Sequence, residues 1–315
     1  MKKADTSVAM MSSEPRLPDE RNRDILVFID GDLYTRDEAR ISVLDSVVQG
    51  GDAVWEGLRV YGGRIAELEE HLDRLFNSAH ALAFRGVPDR SYVRRAIRTV
   101  LEANGMDDET HIRLTLTRGR KVTSGMDPRN NQYGCSLIVL AEWKKPVYPE
   151  AGIRLVTASI RRNTPQILDS KIHHNNILNN ILAKIEANVA GADDAVMLDL
   201  HGFVAETNAT NIFIVVGGRL ITPRPDACLP GITRGLVIRL ASEDEIKVIE
   251  RNVSLSEVYT ADEVFTTGTM GGLTAVLEVD GRRIVNKAGS DVTGRLKTLH
   301  SRWVRAKGVA TGSLS

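Results

Sequence analysis

One stretch of the chain carries a lysine and a glutamate in positions that could serve a bound cofactor. Lys171 lies in Ser170-Lys171-Ile172-His173-His174-Asn175-Asn176, and Glu206 in Gly202-Phe203-Val204-Ala205-Glu206-Thr207-Asn208. A lysine amine condenses with a carbonyl cofactor only where desolvation or a nearby cation keeps part of it unprotonated. A carboxylate at a strand end can hold a heteroaromatic ring nitrogen in its protonated form, which lets such a ring act as an electron sink. Taken singly, neither residue carries much weight, because most lysines and strand-end glutamates are solvated surface groups.

Two later segments offer anion donors. Leu229-Pro230-Gly231-Ile232-Thr233-Arg234 reads as a turn opening a helix whose apolar side holds Leu236, Val237 and Leu240. The first amides of a helix lack internal acceptors and carry the positive end of its dipole, so Ile232 and Thr233 are candidate phosphate contacts. Ordinary helix entry accounts for the same pattern. Thr266-Thr267-Gly268-Thr269-Met270-Gly271-Gly272 follows a strand over residues 263–265, and its amides with the Thr269 hydroxyl form a second candidate set. The adjacent His173 and His174 cannot both face one metal from a helix, and no third ligand sits at the right spacing, so no metal site is expected.

Around these segments the pattern alternates between strands and helices. A strand over residues 25–29 meets Asp30-Gly31, a hairpin dipeptide, and residues 53–61 turn at Gly62-Gly63. Leu68, Leu72, Leu75, Phe76, Ala79 and Leu82 recur at helical spacing, and a second helix with Val93, Ile97, Val100 and Leu101 stops at Gly105. Over residues 110–117 the period becomes two, placing His111, Arg113 and Thr115 on the polar face. A further strand spans residues 136–141. Trp143-Lys144-Lys145-Pro146-Val147-Tyr148-Pro149 breaks periodicity and reads as a linker. Beyond it lie a strand over residues 153–160 and a helical stripe of Ile177, Ile181, Leu182, Ile185 and Val189. Strands over 195–200 and 211–216 follow, and the last helix turns Val292, Leu296, Leu299 and Trp303 inward. No Gly-rich strand-to-helix dinucleotide fingerprint is present, so two α+β domains are favoured over a Rossmann arrangement.

The expected organisation is an N-terminal extension over residues 1–24, a smaller α+β domain over 25–142, a linker over 143–152 and a larger α+β domain over 153–315. The 315 residues contain 41 Lys plus Arg and 41 Asp plus Glu, a balance that argues against nucleic acid or an anionic membrane as partner. Cys135 and Cys228 are far apart and suggest neither a disulfide framework nor a zinc site. With no apolar signal segment and no run of transmembrane length, a cytoplasmic protein is expected.

Together these pieces resemble the class IV aminotransferases, the fold type IV group that includes branched-chain and D-amino-acid aminotransferases and aminodeoxychorismate lyase. The resemblance runs from about Ile25 to the last helix. It is carried by Val54-Trp55-Glu56-Gly57-Leu58-Arg59-Val60-Tyr61, His71-Leu72-Asp73-Arg74-Leu75, the Lys171 loop, residues 202–213, Gly231-Ile232-Thr233-Arg234 and Thr267-Gly268-Thr269. It is closest to the branched-chain members, and it implies a two-domain fold with pyridoxal 5'-phosphate bound between the domains.

Position by position, the resemblance makes Lys171 the Schiff-base lysine and the base that moves a proton between substrate and cofactor. Glu206 would bond the pyridine nitrogen, and Arg74, Ile232, Thr233 and Thr269 the phosphate, with Arg59 a rival for Arg74. Trp55, Arg113, Gly268 and Met270 would form the substrate wall. Asn176, counted among the cofactor contacts, stands where branched-chain enzymes usually place a tyrosine. The implied reaction is amino transfer between a branched-chain L-amino acid and 2-oxoglutarate. The alternatives are a D-amino-acid aminotransferase, aminodeoxychorismate lyase or, remotely, a non-catalytic interaction protein. Thr123-Ser124-Gly125 in place of an Arg-x-His carboxylate trap argues against a standard D-amino-acid enzyme. Family members are commonly homodimers, so at least a dimer is expected.

Overall fold

The structure is a computed structural model and describes residues 16–315. Two sheets with separate cores divide the chain. The first runs, in spatial order, Val309–Ala310, Arg64–Ile65, Ala53–Tyr61, Thr110–Thr117, Ser136–Trp143, Leu26–Ile29 and Asp32–Thr35, antiparallel throughout. Helices Leu68–Ala81 and Arg90–Asn104 cover it. Leu68, Leu72 and Leu75 are fully buried against Leu58, Ile112 and Leu114, as the three- and four-residue spacing predicts. The Asp89 side chain caps the second helix by accepting from the Tyr92 amide, and Gly105 ends it with φ +63°.

The second sheet runs Val248–Glu250, Arg219–Thr222, Asn211–Val216, Glu263–Gly268, Gly272–Val279, Ile153–Arg161, Asp194–Leu198 and Val204–Thr207. Helices Ile232–Glu243 and Val292–Lys307 cover a core built on Phe213, Phe265 and Leu296. The two phenyl rings stack with centroids 5.0 Å apart. Among the described residues no helix is long and apolar enough to cross a membrane.

Three features differ from the sequence reading. Residues 1–15 lie outside the described residues, but order begins well before residue 25. A short helix at Glu20–Asn22 is tied to the first sheet, where buried Asn22 exchanges two hydrogen bonds of 2.9 Å with the Trp143 backbone. Second, the chain returns to the first sheet at its end: Val309–Ala310 pairs with Arg64–Ile65, and Leu314 is fully buried in the first core. Third, the apolar stripe of helix Leu178–Val189 points away from the sheet. Ala183 and Ala187 pack inward, whereas Leu178, Ile181, Leu182, Ile185 and Val189 are exposed. Alanine allows the closer approach to the strands below, which leaves the larger side chains outside.

Candidate active site

A cavity of about 290 Å³ lies where the two sheets meet. The strands Ala53–Tyr61 and Thr110–Thr117 contribute Trp55, Gly57, His111 and Arg113, all on one face by their period of two. Arg74 enters from the first helix. The second unit supplies Glu206, Asn211, Leu229, Ile232, Thr233 and residues Thr267 through Gly271, while Val147 and Tyr148 of the connecting segment close one side. A larger cavity of about 560 Å³, lined by Tyr34, Arg40, Tyr92 and Tyr133, contains none of the predicted residues.

Beneath the cavity floor Glu56 is completely buried and acts as a hub. Arg74 donates to it through Nε at 2.8 Å and Nη2 at 2.7 Å, and Nδ1 of His71 and His173 lie 2.7 and 3.2 Å from its oxygens. Burial acts to raise the Glu56 carboxyl, but the Arg74 charge and the hydrogen bonds from Arg74 and His173 outweigh it and hold it well below the usual range. The arrangement fixes the Arg74 guanidinium, whose Nη1 reaches the Pro230 carbonyl at 3.3 Å, at the start of helix Ile232–Glu243.

That helix start has no side-chain cap, so its first amides face the cavity free of a local acceptor. Thr267 Oγ1 is buried without a hydrogen-bond partner among the described residues, as is Nη1 of Arg59, which lines a small recess beside Ile232, Thr233 and Thr269. Orphaned donors grouped at a dipole's positive end suit a phosphate.

Glu206 is 5% exposed and faces the same cavity. Arg162 Nη2 lies 2.7 Å from Oε1, Asn211 Nδ2 donates to Oε2 at 3.1 Å, and the Leu229 amide to Oε1 at 3.4 Å. Burial raises the carboxyl and the Arg162 charge opposes that rise. Asn211 also donates to the Leu229 carbonyl at 2.8 Å, and its Oδ1 comes so near Gly231 that a Cβ there would sit 2.0 Å away. Glycine at the helix N-cap is therefore what lets the uncapped helix start and the Glu206 brace occupy adjoining space.

On the facing wall, the Arg113 guanidinium lies 3.4 Å from the Trp55 ring centre and donates to Asn175 Oδ1 at 3.4 Å. Burial lowers its pKa to about 10, and it lowers that of His111 to about 3. The His173 ring packs on Trp55 with centroids 4.1 Å apart, and burial lowers its pKa to about 4.

Of the residues singled out from sequence, Trp55, Arg74, Arg113, Glu206, Ile232, Thr233, Gly268, Thr269 and Met270 meet in this cavity. Lys171 and Asn176 do not. The Lys171 side chain is 44% exposed with Nζ 3.9 Å from Asp169 Oδ1, and Asn176 packs against the turn at Gly51. The sequence reading weighed His173 only as a metal ligand and gave no site role to Arg162, Asn211 or Tyr148. Period two already put His111 beside Arg113, but Arg162 and Asn211 reach Glu206 only through tertiary pairing of distant strands.

The family model described as Amino-transferase class IV matches residues 53–279. The chain is 57% identical over 296 residues to branched-chain-amino-acid aminotransferase-like protein 2 of Arabidopsis thaliana, covering 94% of this chain and 53% of that protein. It thus spans about half the length of that plant relative. It is 40% identical over 275 residues to a putative branched-chain-amino-acid aminotransferase of Methanocaldococcus jannaschii, covering 86% of this chain and 93% of that one. A solved T.th. branched-chain amino acid aminotransferase, complexed with N-(5'-phosphopyridoxyl)-L-glutamate, superposes with a TM-score of 0.83 at 33% identity, covering 90% of this chain and 95% of that one. With its two-sheet fold and a matching region that contains most of the cavity, the chain belongs to the class IV aminotransferase family.

Proposed function

We propose that the cavity binds pyridoxal 5'-phosphate or its amine form together with an amino acid or 2-oxo acid, and that the protein's chemistry is amino-group transfer. The observation that carries this reading is the pairing of two ligand-specific ends in one cavity. Arg74, the uncapped helix amides and the Thr267 hydroxyl suit a phosphate, while Glu206, braced by Arg162 and Asn211, suits a protonated ring nitrogen. The covalent end does not fit, because among the described residues no lysine lines the cavity.

Trp55, Val147, Tyr148 and Met270 surround the remaining space with mostly apolar surface, and Arg113 offers one cation. That combination favours a branched-chain L-amino acid and a dicarboxylic 2-oxo acid such as 2-oxoglutarate as partners, in keeping with the names of the relatives. The test is calorimetric titration of both cofactor forms, followed by L-leucine or D-alanine against 2-oxoglutarate. Arg74→Ala and Glu206→Ala should each weaken cofactor binding by about ten- to a hundredfold, since each removes a charge-assisted contact of about 1.5–3 kcal/mol. Saturable binding unaffected by either variant overturns the assignment of this cavity, and turnover of D-alanine without L-leucine overturns the substrate.

A second copy of the chain is the proposed occupant of the exposed Leu178, Ile181, Leu182, Ile185 and Val189 stripe. Sedimentation should give a dimer that Ile181→Asp dissociates; a monomeric native chain at micromolar concentration is the contrary result.

A further inference from the structure

We propose that this protein holds its cofactor without a covalent bond, because the loop carrying Lys171 presents His173 to the cavity instead; the inference rests on the cofactor reading above. Lys171 and His173 are two residues apart, yet their side chains are placed in different surroundings. Lys171 sits at the surface beside Asp169, and His173 lines the cavity against Trp55.

The loop's register is pinned, so the lysine does not exchange places by a small adjustment. The Trp55 amide donates to the His173 carbonyl at 2.9 Å, and the Asn175 amide to the Ala53 carbonyl at 2.8 Å. His174 forms a bridge with Val54, the His173 amide donates to Ser78 Oγ at 3.1 Å, and Ile172 packs on the first core. Moving Lys171 into the cavity means slipping the loop by two residues, which breaks these bonds together and withdraws Ile172 from its apolar contacts.

An imidazole has no primary amine to condense with an aldehyde. It can donate or accept one hydrogen bond, and its second nitrogen is held near Glu56. Retention then falls to the two ends, Glu206 at the ring nitrogen and Arg74 with the helix amides at the phosphate. Two consequences follow. The ligand exchanges on dialysis, and the aldehyde and amine forms bind within about tenfold of each other, since no imine favours the aldehyde.

The test uses the full chain with pyridoxal 5'-phosphate, borohydride reduction and peptide mapping. In the native protein Lys171 should be labelled no more than the exposed Lys144 and Lys145, and Lys171→Ala should leave the affinity of both cofactor forms unchanged. His173→Lys places an amine where it can condense with the aldehyde, losing water, and borohydride then adds hydride to the resulting C=N. That variant should gain visible absorbance and a stoichiometric adduct at position 173. A stoichiometric native adduct at Lys171, lost in Lys171→Ala, overturns the proposal while leaving the cofactor reading intact. So does a folded His173→Lys protein that binds the aldehyde form without forming the adduct. Absence of saturable binding of either form overturns the cofactor reading and this proposal with it.

Discussion

Glu56→Ala is expected to destabilise the protein by about 3–5 kcal/mol, the range for removing one member of a buried ionic group. Glu56 is fully buried and receives both Arg74 contacts, with two imidazoles against its oxygens. Its loss leaves the Arg74 guanidinium, whose side chain is only 13% exposed, without a counter-charge. The same variant should weaken binding of the proposed pyridoxal 5'-phosphate, because Arg74 is no longer held toward Pro230. Denaturant unfolding followed by ligand titration reads both effects. A loss of less than about 1 kcal/mol, the value of an ordinary exposed pair, would show that the carboxylate is not the hub.

The second large effect is a loss of stability in mild acid. Burial lowers the pKa of His173 to about 4, that of His111 to about 3 and that of His300 to about 4. Unfolded histidine titrates near 6.5. As pH falls below that value the unfolded chain takes up protons that the folded chain refuses, so stability present above about pH 6.5 drains away toward pH 4, and for His111 toward pH 3. Each group contributes a slope of about 1.4 kcal/mol per pH unit, and the three together several kcal/mol across the window. Unfolding free energies measured from pH 7.5 to 4.5 should fall on the acid side, and His300→Phe should make the fall shallower. A flat profile from 7.5 to 5 would contradict the buried, uncharged state of these rings.

The secondary structure was legible wherever one periodicity dominated. Leu68 through Ala79 and Thr110 through Thr117 needed only their own spacing, and Asp30-Gly31 and Gly62-Gly63 form the turns their composition demands, with φ from +52° to +115°. The candidate site was legible where a residue's side follows from an element: Arg113 from its strand, and Ile232 and Thr233 from their helix start. Lys171 has no such element. Its direction is decided by how the loop pairs with residues 53–55, more than a hundred positions away, and a two-residue difference in that pairing exchanges surface for cavity. The stripe on helix Leu178–Val189 has the right period, yet period does not say which face the small alanines will claim.

The strand at Val309–Ala310 also bears on how the chain folds during synthesis. The first sheet joins a strand near the start of the described residues, Leu26–Ile29, to one near their end, Val309–Ala310, and Leu314 fills a place in a core whose other buried members lie within residues 25–141. The amino-terminal unit cannot finish its edge or close that core while the second unit is still being translated. Until residues 309–314 have been synthesised, the Arg64–Ile65 edge stays unpaired and an apolar site stays open, which leaves that edge available for pairing with other chains in the interval.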